Sequence, residues 1–165
     1  MPTFARTALI VGGVASIGML AIVLFYWPRL PYIVPQFFDA TGDPNEYAAK
    51  YYLFVPPLAL VAIWIGAYFS LRYPGWFRLP VRMNEHQIEV FKREGQILIS
   101  VLLVELSLGF VYVQWQTVRT ALNESEGLGW FFPSFFLICL IGTAVYFTWR
   151  TIILWGKASN QRSSS

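Results

Sequence analysis

The sequence predicts an all-α membrane protein, a bundle of four transmembrane helices with an ordered loop on its outer side that is rich in proline and glycine. Three observations predict this fold class. Of the 165 residues, 56% are hydrophobic and only 13% are charged, which is about half the charged share of a soluble domain. Four stretches are long and apolar enough to cross a bilayer. The remaining charges lie mostly between those stretches.

The length of the apolar stretches sets the four predicted spans. A bilayer core about 30 Å thick requires about 20 apolar residues of helix. Lipid offers no partners to backbone polar groups, and these runs are too long and continuous for barrel strands. Glu105 is the one formally charged residue inside the spans before Arg150. The predicted spans are residues 8–27, 51–71, 96–118 and 130–153.

We expect residues 1–158 to form a single four-span membrane domain and residues 159–165 to form a disordered tail. A cleaved signal peptide is the alternative for the first span. Against it, the apolar run is longer than the central region of a signal peptide, and it ends in large aromatic residues instead of a small-residue cleavage site.

The distribution of Lys and Arg predicts the orientation, because cytoplasmic loops carry more of these residues. With four spans, both termini and the middle loop share one side. That side carries nine of the 12 basic residues, and the other side carries Arg29, Lys50 and Arg119. We therefore expect both termini in the cytoplasm. Basic residues spread in this way form no phosphate-binding face, so nucleic-acid binding is not expected.

The outer loop after the first span is predicted to be ordered. Pro28, Pro31 and Pro35 exclude a helix there and favour extended backbone. The loop is also too apolar for a freely solvated segment, as Ile33 and Phe37 illustrate. We expect it to fold onto the outer ends of the helices.

Two helix starts are predicted by capping patterns. Asp43, Pro44 and Glu46 occupy N-cap, N1 and N3 positions of a short helix that would lead toward the second span. The proline pair at 56–57 is expected to break or kink that helix near the membrane surface. Asn84 predicts a second start, and the charged helix after it is expected to continue into the third span.

Small residues recur at intervals of four in two spans and predict close helix packing. Gly12 and Ser16 do so in the first span, and Ala62, Gly66 and Ser70 in the second. Such stripes let helix backbones approach closely in lipid. We expect them to pack within one bundle, and the alternative is an interface with a second copy or a partner subunit.

Glu105 is the residue that most suggests intramembrane chemistry. It lies about ten residues into the third span, or about 15 Å deep at about 1.5 Å per residue, near the bilayer midplane. Ser16 and Thr143 are expected at a similar depth. An ionised carboxylate is costly there. Glu105 is therefore either a structural hydrogen-bonding group between helices or a functional group for a proton, a cation or a ligand.

Residues for catalysis or metal binding are sparse, so we expect neither an enzyme nor a cofactor. The single histidine, His86, and the single cysteine, Cys139, lie on different elements and make no metal site. No Gly-rich nucleotide loop and no HExxH motif occurs. Asp39, Asp43 and Glu46 could hold an outer divalent ion, but turn and capping roles fit them better.

A family resemblance enters at the outer loop and its flanking spans, over about residues 20–70. Its spaced residues are Leu30, Pro31, Ile33, Pro35, Phe37, Gly42, Asp43, Lys50 and the proline pair at 56–57. This spacing resembles the bacterial domain of unknown function 1648, found in SdpI-type immunity proteins, which have more spans than this chain. The family usually has His where Gln36 stands here, so protonation or metal ligation at that position would be lost. The resemblance implies a small bacterial integral membrane protein.

These features predict a non-enzymatic integral membrane protein that acts through protein contacts in the bacterial cytoplasmic membrane. It would be an accessory subunit of a membrane complex or an immunity or sensor protein. Its expected partners are the lipid bilayer and another membrane protein or further copies of itself. The alternative is a small transporter or proton-coupled module centred on Glu105. A membrane enzyme that uses outer carboxylates is a third reading.

Overall fold

A computed structural model of the chain describes residues 3–73 and 85–160. Within these ranges the elements in chain order are α1 (Thr3–Tyr26), β1 (Ile33–Phe38), β2 (Pro44–Ala49), a 3₁₀ helix (Lys50–Phe54), α2 (Val55–Arg72), α3 (Glu85–Ala121) and α4 (Phe131–Asn160). Each of the four α-helices is long and apolar enough to cross a membrane. The predicted fold class, a four-span α-helical membrane protein, is confirmed.

The helices alternate in direction, which gives the bundle two distinct ends. The strands β1 and β2 and the loop between α3 and α4 lie together at one end, named here the hairpin end, where the Leu128 amide donates to the Gly42 carbonyl over 2.8 Å. The opposite end, named here the termini end, holds the first residues of α1 and the last residues of α4.

The helix boundaries extend the predicted spans at the termini end. α3 is continuous from Glu85, which confirms that the charged segment before the third span belongs to the same helix. α4 continues to Asn160, two residues into the predicted tail. Asn84 and residues 161–165 lie outside the described residues.

The outer loop is a β-hairpin, and the short helix predicted to begin at Asp43 is wrong. β1 pairs with β2 in antiparallel register, with Pro35 opposite Tyr47. A helix cap contributes only about 1 kcal/mol, which the pairing of the two strands and the burial of Val34 outweigh. The proline pair at 56–57 lies in the first turn of α2, directly after the 3₁₀ helix Lys50–Phe54, where the missing amide donors cost little.

Helices α1, α2 and α3 form the tightly packed part of the bundle, and they meet at Gly12. A Cβ at this position would lie 2.7 Å from Trp64 Cδ1 on α2 and 3.5 Å from Ser107 Oγ on α3. The Trp64 indole N–H donates to the Leu9 carbonyl of α1. The neighbouring core at the termini end consists of Ala5, Ala8, Leu9, Leu71 and Leu103.

The two small-residue stripes differ in burial. Gly12 and Ser16 are buried in the bundle. Ala62 and Gly66 are exposed and Ser70 is half-buried, and a Cβ at Gly66 would have no neighbour within 4 Å. The prediction that this second stripe packs within the bundle is wrong, because α2 turns its Trp64 face inward so that the indole N–H reaches an acceptor.

The contact at Gly12 predicts an asymmetric response to alanine in α1. We expect Gly12→Ala to lower the free energy of unfolding by about 1–3 kcal/mol, because the added methyl group overpacks the site against Trp64. Gly18→Ala in the same helix is the matched control, since a Cβ there meets nothing within 4 Å. Thermal or denaturant unfolding in detergent micelles measures both variants, and equal losses would contradict the prediction.

Candidate functional site

The hairpin is fixed to the bundle by a hydrophobic cluster at the hairpin end. Val34 of β1 is fully buried there. Its cluster consists of Val23, Leu30, Val34, Leu53, Val118 and Ala121. In addition, the Gln114 side-chain amide of α3 donates to the Leu53 carbonyl over 3.2 Å. The hairpin is therefore part of the packed structure.

The turn between the strands is organised by Asp39. Its carboxylate accepts hydrogen bonds from the Thr41 hydroxyl at 2.6 Å, the Thr41 amide at 2.9 Å and the Asp43 amide at 3.0 Å. The Thr41 hydroxyl and the Asp43 amide hold the pKa of this exposed carboxyl below its usual value of 3.8. Asp39 and Asp43 thus serve the turn.

The turn also packs closely against the α3–α4 loop at two glycines, Gly42 and Gly127. Gly42 has a φ of +88°, and a Cβ on it would lie 2.6 Å from the Gly129 carbonyl oxygen. A Cβ on Gly127 would overlap the Gly42 carbonyl oxygen. At Gly42 and Gly127, only a residue without a side chain allows this approach of two backbones. The hairpin turn and the α3–α4 loop therefore form one surface.

The family-like loop residues divide into buried and exposed groups. Leu30 and Pro35 are buried, and the Lys50 ammonium lies 4.5 Å from the centroid of the Trp27 ring. Gln36 lies where the strand register shifts, between Pro35 and Phe37. Phe37 is more than half exposed. Several of these residues thus build the hairpin, and others are displayed by it.

A cleft of about 800 Å³ opens between the hairpin and the α3–α4 loop. One side, named here the hairpin wall, consists of Pro31, Ile33, Pro35, Pro44 and Tyr47. The other side, named here the loop wall, consists of Thr120, Ala121, Asn123, Glu124, Ser125 and Glu126. The volume falls within the range of about 300–1,000 Å³ typical of ligand pockets. The loop wall had not been predicted, although Gly127 and Gly129 signal a close backbone approach there.

A second polar feature is the contact between α3 and α4, named here the seam. The Thr143 hydroxyl donates to one oxygen of the Glu105 carboxylate over 2.6 Å. The other Glu105 oxygen is buried and has no partner within the described residues. Ser16 does not join them, because its hydroxyl donates to the Gly12 carbonyl of its own helix over 2.9 Å. The structure thus brings two of the three midplane candidates together.

The seam also holds an ion pair that sequence reasoning missed. Arg150 lies 2.9 Å from one oxygen of Glu94, and the Glu94 side chain is only 9% exposed. Its second oxygen is buried without a partner within residues 3–73 and 85–160. Both residues resembled surface charges because they stand near span ends. The eleven-residue spacing from Glu94 to Glu105 places both on one helix face, which is the signal that could have found them.

Apolar contacts close the seam toward the hairpin end. Phe136 packs onto Gly109, where a Cβ would overlap its ring. Phe132 stacks on Tyr112 with ring centroids 4.1 Å apart, and the Tyr112 hydroxyl donates to the Leu128 carbonyl over 2.9 Å. α4 packs almost entirely on α3. The seam is therefore what joins α4 to the bundle.

The described residues present no clustered metal ligands. Across residues 3–73 and 85–160, no group of three or more His, Cys, Asp or Glu side chains is arranged to hold a metal ion. Cys139 is a free, half-buried thiol.

Residues 14–61 match the model of a family named domain of unknown function 1648. The match confirms the resemblance seen in the sequence over the loop and its flanking spans. It runs from α1 through the hairpin into α2, and it includes neither the seam nor the loop wall. No curated protein and no solved structure matches the chain.

The ion pair in the seam predicts a stability cost that a surface pair lacks. We expect Arg150→Gln to lower the free energy of unfolding by about 1–3 kcal/mol, because it leaves the buried Glu94 carboxylate without its counter-charge. Arg119→Gln is the control and should cost less than about 1 kcal/mol, since its 3.8 Å pair with Glu124 is exposed. Unfolding in detergent compares them, and an equal cost would refute the distinction.

Proposed function

We propose that this chain is a non-enzymatic membrane protein that acts by presenting the hairpin end to another protein. In this proposal it resides in the bacterial cytoplasmic membrane with both termini in the cytoplasm, as an accessory subunit or an immunity or sensor protein. The observation that carries the proposal is the cleft of about 800 Å³ between the hairpin and the α3–α4 loop.

Rigidity of the hairpin end supports a binding role. The buried Val34 cluster and the glycine contact between Gly42 and Gly129 hold both walls before any partner arrives. A preorganised surface loses less conformational freedom on binding, so more of its contact energy appears as affinity. A loop that only connected two spans would not need such bracing.

Exposed apolar side chains at the same end support a protein partner. Ile33 and Tyr47 are each 61% exposed and Phe37 is 54% exposed. These three stand on the strands of the hairpin and not on the four candidate membrane-spanning helices. Exposed large apolar side chains are typical of protein interaction sites, and tyrosine is enriched in the centres of such sites.

Co-purification with a variant in the cleft tests the proposal. The full chain is extracted in gentle detergent, and proteins that travel with it are quantified by mass spectrometry. We expect Tyr47→Ala to lower recovery of a specific partner about tenfold or more, because truncating a central interface tyrosine costs about 2 kcal/mol.

Tyr32→Ala is the matched control, since Tyr32 is similarly exposed at the hairpin end but lines neither wall. It should leave recovery unchanged. Isolation of only a monomer or a homodimer, or equal losses in both variants, would count against the proposal.

The seam favours a second candidate function, a proton-coupled module. Glu105 has one buried carboxylate oxygen without a partner, and Glu94 on the same helix has another. Acidic groups inside a membrane bundle often lie on proton or ion pathways. The hydrogen bond from Thr143 equally suits a purely structural role, so flux has to be measured.

Proton flux into liposomes, followed with an enclosed pH-sensitive dye, tests this candidate. We expect Glu105→Gln to abolish flux if Glu105 carries protons, because the amide can still accept the Thr143 hydrogen bond but cannot titrate. Glu89→Gln, an exposed acid of the same helix, is the control. Unchanged flux in Glu105→Gln, or no flux in the unmodified protein, would eliminate the candidate.

A further inference from the structure

The loop wall of the cleft is negatively charged. It carries Glu124 and Glu126, and no Lys, Arg or His is among the described residues of either wall. Arg119 partly offsets Glu124, since it lies 3.8 Å from that carboxylate and donates to the Glu124 carbonyl over 3.1 Å. Glu126 is exposed and forms no ion pair within the described parts of the chain. The cleft therefore offers a carboxylate to an incoming cation.

A second basic residue of the hairpin end is occupied elsewhere. The Lys50 ammonium lies over the Trp27 ring, 4.5 Å from its centroid, in a cation–π contact. Lys50 is part of neither wall. The charge on the loop wall is thus not neutralised by this lysine.

The hairpin wall has the chemistry of a surface for an extended chain. Ile33 and Pro35 stand two residues apart on β1, and Tyr47 is the partner of Pro35 on β2. Ile33 and Tyr47 are exposed, whereas Pro35 is buried beneath them. Extended peptides also repeat their side chains every two residues. Ile33 and Pro35 lie about 6.6 Å apart along β1 at about 3.3 Å per residue, which equals the spacing of alternate side chains in an extended segment.

The prolines of the hairpin wall limit how an extended segment can bind there. Pro31, Pro35 and Pro44 have no amide hydrogen, so this wall cannot supply a full ladder of backbone hydrogen bonds to an added strand. Aromatic-lined grooves instead bind extended, proline-rich segments through side-chain packing, as in polyproline II recognition, and Tyr47 gives the hairpin wall one such aromatic side chain. The opposite wall then selects the charge of the bound segment.

We infer that the cleft binds an extended peptide segment of a partner protein that carries Lys or Arg side chains. The aliphatic stems and backbone of the segment pack on the hairpin wall, and its cationic groups face Glu126 and Glu124. This inference rests on the proposed function, because it specifies the chemistry of the partner at the surface assigned to protein contacts. The negative charge of the loop wall favours a positively charged ligand by charge complementarity.

Two probe peptides test the inference directly. The full chain is reconstituted in nanodiscs of zwitterionic phosphatidylcholine, and binding of fluorescent peptides is followed by anisotropy. One peptide alternates lysine and proline, and the other alternates glutamate and proline. We expect the lysine peptide to bind at least about tenfold more tightly, with an affinity that falls as salt is added. Equal affinities, or no binding of the lysine peptide, would overturn the inference.

Matched variants locate the binding site. Glu126→Gln should weaken binding of the lysine peptide about five- to tenfold. Glu46→Gln is the control, since it removes the same charge from an exposed residue of β2 that lines neither wall. Equal weakening by both variants would show a general charge effect and refute binding in the cleft.

The outcomes separate this inference from the proposed function. Recovery of a partner that depends on Tyr47, together with equal binding of the two peptides, refutes the cationic segment and leaves the protein-contact function standing. Selective binding of the lysine peptide without any recovered partner supports the site and counts against the role in a stable complex. If no partner is recovered and the lysine peptide does not bind selectively, both the proposed function and the cationic segment are refuted.

Discussion

The meeting of α1, α2 and α3 at Gly12 is the contact on which the rest of the bundle depends. Lipid tails are as apolar as the helices, so no hydrophobic effect drives helices together inside a membrane. Close backbone approach and hydrogen bonds must do so instead. Gly12 permits the approach, and the Trp64 indole N–H donating to the Leu9 carbonyl adds the hydrogen bond. The orientation of α2 follows from this contact.

α3 connects the contact at Gly12 to both ends of the molecule. One face of α3 packs on α1 at Ser107 and Leu103, and another face carries Glu94 and Glu105 toward α4. Its final turns at the hairpin end support Val34 through Val118 and Ala121. A single long helix thus joins the three-helix core, the seam and the cleft. The positions of the seam and the cleft therefore depend on how α3 packs in the three-helix core.

The hairpin shows how local and tertiary preferences compete. Asp43, Pro44 and Glu46 have the spacing of a helix start, yet residues 44–49 form β2. The local signal was genuine but weak, since one cap contributes about 1 kcal/mol. Burial of Val34 on the bundle and the approach of Gly42 to Gly129 involve residues far apart in sequence. No pattern within a short window contains that information.

The sequence by itself determined the four spans, the continuity of the charged segment with the third span, and the family match of the loop. These follow from length and composition, because a bilayer imposes a fixed thickness and admits helices wherever apolar runs reach it. Only the tertiary structure decided which face of α2 turns inward, which charges pair and which residues line the cleft. Those outcomes depend on how each helix is rotated about its own axis. Within lipid, this rotation is set by a few close contacts between residues that are distant in sequence.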